Sequence, residues 1–215
     1  MTLENANPKP RAFLLLGQAG PRQFHNGPEH WAHLAAILRA ADLDARVISD
    51  DLTDLNPANL SRFDVILNFS TDLVPTDEQV SALLGAVEGG IGYVGLHAAT
   101  ATFRKSESYL RLIGSHFLRH PPIKRFTVEI VEPNHPVTQS IESFEIEDER
   151  YELTDLQEGL QILASAEGHP MIYVTEFGAG RVCYIAPGHD ARTLGLPVYA
   201  TLVHRAISWT SRRAD

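Results

Sequence analysis

Three short runs, residues 12–16 (AFLLL), 63–69 (FDVILNF) and 91–96 (IGYVGL), are apolar at nearly consecutive positions rather than at alternate ones. A strand of that composition is buried on both faces, so it needs helices above and below it. The segments between the runs supply them. From Pro28 to about Ala41, Trp31, Leu34, Ala35, Ile37 and Leu38 recur at helical spacing, with Pro28 suited to a first turn. The stretch TDEQVSALLGAVEGG reads as a second helix, with Thr76 as N-cap and Gly89 as its stop. With a further strand at 45–49 (ARVIS), strand and helix alternate, and the expected architecture is a three-layer α/β/α sandwich on a mainly parallel sheet.

The second half changes texture. KRFTVEIVE has period two, and RYELTDL, LQILASA, MIYVTEF and RVCYIAP are further short strand-like runs with few helices between them. They predict an antiparallel extension of the sheet. A last helix, from about Pro197 to Trp209, carries Tyr199, Leu202, Val203, Ala206, Ile207 and Trp209 on one broad stripe and is expected to pack back on the sheet. At 215 residues, without repeats or an evident linker, the chain reads as one domain over 1–215, with residues 1–10 as a flexible tail.

Composition removes several function classes. A formal charge of −9 with scattered arginines argues against nucleic-acid partners, and no apolar run approaches the roughly 20 residues of a membrane span. One cysteine cannot form an internal disulfide, and no signal-like segment precedes the first strand, so a cytoplasmic location is expected. GxGxxG and GK[ST] are both absent, so no nucleotide cofactor is expected.

In open α/β sheets ligands bind beyond the carboxyl ends of the strands. Four histidines fall at or near such positions: His25 after the first strand, His97 at the end of IGYVGL, His120, and His189 after RVCYIAP. Each alone also reads as a capping or core histidine. Strand, sharp turn and small residues around Gly95-Leu96-His97-Ala98-Ala99 resemble the elbow that presents a nucleophile in many α/β enzymes. An imidazole there is a general base, a metal ligand or a structural turn residue. His116 and His120 are spaced i, i+4 on a predicted helix, as a metal pair would be, although no zinc-protease signature accompanies them. The acidic stretch EIEDERYEL (145–153) reads first as a solvated edge, with Asp148, Glu149 and Tyr151 as candidates for hydroxyl recognition. Cys183, between apolar neighbours, reads as an inert buried thiol.

Taken in order, FHNGPEHWAHLAAIL, GGIGYVGLHAAT, LIGSHFLRHP, NHPVTQSI with FEIEDERY, and FGAGRVCYIAPGHD resemble the ThuA-like family, named for trehalose utilisation. The most specific pieces are GLHAAT, the pattern Gly114, Phe117, His120, Pro121, the group Asp148, Glu149, Tyr151, and the block ending at His189. His116 has no counterpart in the family pattern, and Pro187 stands where a small or apolar residue is usual. The resemblance implies a flavodoxin-like sandwich of the class I glutamine amidotransferase-like superfamily. The elbow of that superfamily normally carries a catalytic cysteine, and His97 occupies it here, so glutaminase chemistry is not implied.

The resemblance and the histidines together give an expected function: an enzyme of sugar catabolism acting on a glycoside or 3-keto-glycoside by hydrolysis or elimination. His97 and His189 are then the catalytic candidates, His25, Asp148, Glu149 and Tyr151 the substrate-binding ones, and Glu29 an accessory carboxylate. A metal reading assigns His97, His120 and His189 as ligands of a divalent transition ion, Zn²⁺, Ni²⁺, Mn²⁺ or Fe²⁺. The alternative is a non-catalytic carbohydrate-binding or regulatory protein that kept the scaffold and lost the nucleophile; a subunit of an amidotransferase complex is a weaker third. The expected partner is a small sugar, and a homodimer is the assembly such sandwiches favour.

Overall fold

The computed structural model describes residues 10–19, 28–40, 43–48 and 52–211. Its framework is a nine-stranded sheet in the order β2-β1-β3-β4-β11-β10-β9-β6-β7. The parallel half comprises β1 (Arg11–Leu15), β2 (Asp44–Ile48), β3 (Val65–Asn68), β4 (Gly92–Leu96) and β11 (Gly180–Ile185). The described side chains of β1, β3 and β4 are buried along almost their whole length, as their unbroken apolar runs require. Antiparallel strands β10 (His169–Phe177), β9 (Gln161–Ala166), β6 (Lys124–Ile130) and β7 (Phe144–Asp148) extend it.

Helices cover both faces. On one side α1 (Pro28–Ala40), α5 (Ala191–Leu194) and α6 (Pro197–Thr210) pack together, with α6 against β4 and β11. On the other lie α2 (Pro57–Leu60), α3 (Asp77–Glu88) and α4 (Glu107–Ile113). The start of α3 is a capping box: Thr76 Oγ1 accepts from the Gln79 amide and Gln79 Oε1 accepts from the Thr76 amide. No helix among the described residues is long and apolar enough to cross a membrane.

The extension curls. In a flat sheet β7 would lie five strands from β4, about 24 Å at ~4.8 Å per strand. Yet Glu149, the residue after β7, lies 3.5 Å from His97, the residue after β4. Strand β6 makes the bend. Only Glu129 and Ile130 pair with β9, while Lys124 to Val128 pair with β7, so its first five residues leave the main sheet and carry β7 back over the carboxyl edge.

The predicted i, i+4 helical pair of His116 and His120 does not form. Helix α4 stops at Ile113 because Gly114 takes a left-handed φ of 90°, and His116–Arg119 becomes β5, paired with β8 (Glu152–Thr154) in a separate ribbon. His116 Nδ1 then lies 3.6 Å from Asp155, whereas His120 meets Glu149. A Cβ at Gly114 would be strained by this φ and would lie 2.7 Å from Leu160 Cδ2, so Leu160 would have to shift. Gly114→Ala is expected to lower stability by about 1–3 kcal/mol in urea denaturation and to shift the β5 ribbon.

Candidate active site

Four chain segments meet at the carboxyl edge. His97 is the first residue after β4 and opens a tight 3₁₀ turn, His97–Ala101, with φ at 40°. A left-handed histidine is uncommon and needs support from its surroundings. Tyr184 Oη donates to the His97 carbonyl at 2.7 Å and shares a hydrogen bond with Thr100 Oγ1 at 2.9 Å, which fixes the turn from β11. The ring is wholly buried.

Its orientation assigns the tautomer. Nδ1 lies 2.8 Å from the Ala186 carbonyl, which can only accept, so Nδ1 carries the proton. In the neutral ring Nε2 therefore presents its lone pair to the site, where Tyr151 Oη donates to it at 2.9 Å. Tyr151 packs against this ring at a tilt of 34° with centroids 4.2 Å apart and is backed by Phe117 at 4.4 Å. Burial, then the neighbouring Tyr184 phenol and the carboxylates of Glu149 and Asp148, push the Tyr151 phenol far up, so it stays a neutral donor.

Glu149 is the hub. Its Oε2 lies 3.5 Å from His97 Nε2 and 3.3 Å from His189 Nδ1, and its Oε1 lies 3.3 Å from His120 Nε2. Burial by itself would raise its pKa, but the hydrogen bond from His189 and the close approach of the His97 ring outweigh burial and hold the carboxyl well below the usual range. His189 shows the complement: burial would lower its pKa, and the hydrogen bond and charge of Glu149, with Asp148 and Asp190, raise it.

Asp148, 1% exposed, works on the backbone. Oδ2 accepts from the Gly188 amide at 2.8 Å, and Oδ1 from the amides of His189 at 3.2 Å and Glu149 at 2.7 Å. One carboxylate thus fixes both the loop that carries His189 and the residue that carries the hub. Gly188 has φ 135°, and a Cβ there would lie 2.7 Å from Tyr199 Oη, so the loop passes where only glycine fits. His30 Nε2 donates to the His189 carbonyl at 2.7 Å.

The structure brings His97, His120, His189, Glu149 and Tyr151 together and gives Asp148 a supporting place behind them. It differs from the sequence reading in three respects. The acidic stretch is a solvated edge only in part, because Asp148, Glu149 and Arg150 are buried while Glu145 is exposed. Among the described residues, the three side chains whose ligand atoms all lie within 4.8 Å of one another are His97, Glu149 and His189, with Glu149 where the reading had His120. Sequence reasoning also missed His30 and Tyr184, although His30 shares the helical phase of buried Leu34 and Leu38, a recoverable signal. His25 lies outside the described residues, and Glu29 falls in α1. Cys183 is fully buried on β11, and burial pushes its thiol far up.

Two outcomes follow. Asp148→Ala leaves two buried amides and one part-buried amide without an acceptor and is expected to cost about 3 kcal/mol in urea denaturation. Comparing Glu149→Gln with wild type in the presence of chelator tests the ion pair. The raised His189 contributes stability below its ordinary value of 6.5, and that contribution is lost as pH rises through its higher folded value. The depressed Glu149 contributes above its ordinary 4.5 and loses that only on acidification. The difference in melting temperature should therefore be largest near pH 5.5 and shrink by pH 9; a difference constant across this range would contradict the coupling.

Comparisons with known proteins complete the description. The family model described as ThuA, trehalose utilisation, matches residues 14–210. A ThuA-like protein from Parabacteroides merdae shares the fold at a TM-score of 0.83 and 17% identity, over 95% of this chain and 90% of that one. One from Bacteroides uniformis gives 0.80 and 18%, over 97% and 94%. A cytoplasmic protein from Salmonella typhimurium gives 0.73 and 15%, over 94% and 100%. No curated protein matches in sequence.

Proposed function

The chain belongs to the ThuA, trehalose utilisation family, and from that premise we propose that it is a cytoplasmic enzyme of sugar catabolism. Its substrate is a glycoside or 3-keto-glycoside, cleaved by elimination or hydrolysis. The observation that carries the reading is the convergence of His97 Nε2, His189 Nδ1 and both Glu149 oxygens on one edge of the sheet. A binding module needs hydroxyl partners; it has no need of three imidazoles gathered around one ionised carboxylate. The lone cysteine is buried away from the elbow, which argues against a glutaminase.

The donor set fits a divalent transition metal. Two imidazoles and a carboxylate suit Zn²⁺, Ni²⁺, Mn²⁺ or Fe²⁺ better than Ca²⁺ or Mg²⁺. The hydrogen bond from His97 Nδ1 to Ala186 is the outer contact that orients a ligating histidine. His97, Glu149 and His189 would hold the ion, which when bound supplies positive charge against an oxyanion.

The remaining groups handle protons and position. A 3-keto group acidifies the C2 proton, and His120, the most exposed of the three imidazoles, is suited to accept it. The electron pair then expels the glycosidic oxygen from C1, and the protonated imidazole can return its proton to that oxygen. Half-buried Phe117, backed by Tyr151, offers an aromatic surface for a sugar face, and Asp148 keeps His189 and Glu149 in register.

The test is elemental analysis of untagged, chelator-free protein combined with turnover of 3-keto-trehalose. Near-stoichiometric metal is expected in wild type and its loss in His97→Ala, with turnover down roughly a hundredfold or more. Metal-free wild type that turns over normally would remove the ion from the reading. Metal-loaded wild type that cleaves neither glycosides nor keto-glycosides would overturn it.

A further inference from the structure

A cavity of about 520 Å³ lies between two stretches of chain: the loop after β3 with the start of α3, and the segment joining the 97–101 turn to α4. That volume falls within the range of small-molecule sites. His97, His120, Glu149, Tyr151 and His189 are all absent from its lining, so it is separate from the histidine site.

The two stretches are fixed to each other by their backbones. The Asp72 amide donates to the Ala101 carbonyl at 3.2 Å, and the Phe103 amide to the Leu73 carbonyl at 3.1 Å. Thr102 Oγ1 accepts from the Leu73 amide at 3.1 Å and from Ser70 Oγ at 3.2 Å. Asp72 and Phe103, one from each stretch, have φ of 55° and 51°. For a residue as bulky as phenylalanine this is a true outlier, and such strain concentrates at ligand clamps. The cavity is therefore preformed, which lowers the ordering cost of binding.

Charge is sorted by wall. The β3–α3 wall presents Asp72 and Asp77 and no cation, whereas the α4 wall presents Arg104, Lys105 and Arg111 against a single carboxylate, Glu107. All six are exposed, and among the described residues none of them is in an ion pair. Arg104 donates to the Phe117 carbonyl at 3.4 Å. Opposite charges thus face each other across a gap that neither wall closes. Apolar surface lies between them: Leu73, Val80 and Phe103 are buried beneath the cavity, while Val74 is 71% exposed at its rim.

This arrangement selects a ligand class. Three carboxylates and three cations cancel, so a simple anion or cation gains little from the cavity as a whole. A molecule that carries one charge of each sign can place each against its opposite wall in charge-assisted hydrogen bonds. We infer that the cavity binds a small zwitterion, an ammonium and a carboxylate on an apolar body, such as an amino acid with a large apolar side chain or a short peptide of such residues. The ammonium lies toward Asp72 and Asp77, the carboxylate toward Arg104, Lys105 and Arg111, and the apolar body over Leu73, Val80 and Phe103. This site is independent of the sugar reading of the histidine site.

Calorimetric titration of the full chain at pH 7 tests it. L-Phenylalanine and L-leucyl-L-leucine are the zwitterions, 2-phenylethylamine is the cation alone and 3-phenylpropanoate the anion alone. At least one zwitterion is expected to bind roughly tenfold or more tighter than either single-charge analogue. Preference for the amino acid or for the dipeptide then reads the span between the walls and supports the site in either case. Asp72→Asn keeps a residue that accepts positive φ, and Arg111→Ala is a favourable exposed helix substitution, so both variants should fold. Each is expected to weaken the zwitterion roughly fivefold or more. Asp72→Asn should leave 3-phenylpropanoate unaffected, and Arg111→Ala should leave 2-phenylethylamine unaffected. Single-charge analogues that bind wild type as tightly as the zwitterions would overturn the inference. So would zwitterion binding that neither variant weakens, or wild type that binds neither zwitterion.

Discussion

The carboxylate of Asp148 ties the two halves of the molecule together. It belongs to the far edge strand of the sheet, yet its oxygens bind the amides of Gly188 and His189, which follow a central strand. Buried backbone amides must find acceptors, and a charged acceptor binds them more strongly than a neutral one. Without this clamp neither Glu149 nor His189 has a fixed address, and the imidazoles would not share one carboxylate.

A platform of buried tyrosines carries the other side of the site. Tyr184 holds the His97 carbonyl, Tyr109 Oη donates to the Ala99 carbonyl at 2.8 Å, and Tyr173 Oη donates to the Ile113 carbonyl at 2.7 Å. Asn68, buried at the end of β3, donates to the phenols of Tyr93 and Tyr109. These phenols satisfy carbonyls that the sharp turn and the helix end cannot satisfy themselves. The elbow is thus held through its backbone, while Ala186 and Tyr151 orient the imidazole of His97.

Much of the parallel half was legible because its physics is local. Apolar runs mark buried strands, and the capping box at Thr76 and the stop at Gly89 mark the ends of one helix. The antiparallel half was harder because its signals conflict. Phe144, Ile146 and Asp148 share one face of β7, with Glu145 and Glu147 on the other, so period two was present beneath the acidic composition. An aspartate in the inward phase was the clue that this edge serves a site. The i, i+4 spacing alone paired His116 with His120 on a helix, although a left-handed Gly114 ends α4 before them. Convergence of His97, Glu149 and His189 depends on the bend in β6, a tertiary event without a local signature.

That bend gives the site a particular place in the folding of the chain. His97 and Glu149 come into contact only once the antiparallel strands have docked over the parallel ones, which closes long loops at an entropic cost. A chain whose parallel half alone has formed has the elbow but no hub. A ligand that requires Glu149 therefore binds only the fully docked molecule, and by mass action it draws the population toward that state. In this fold ligand affinity and the cohesion of the two halves are one linked equilibrium, so substitutions that loosen β6 or β7 far from the histidines weaken binding without touching the ligand.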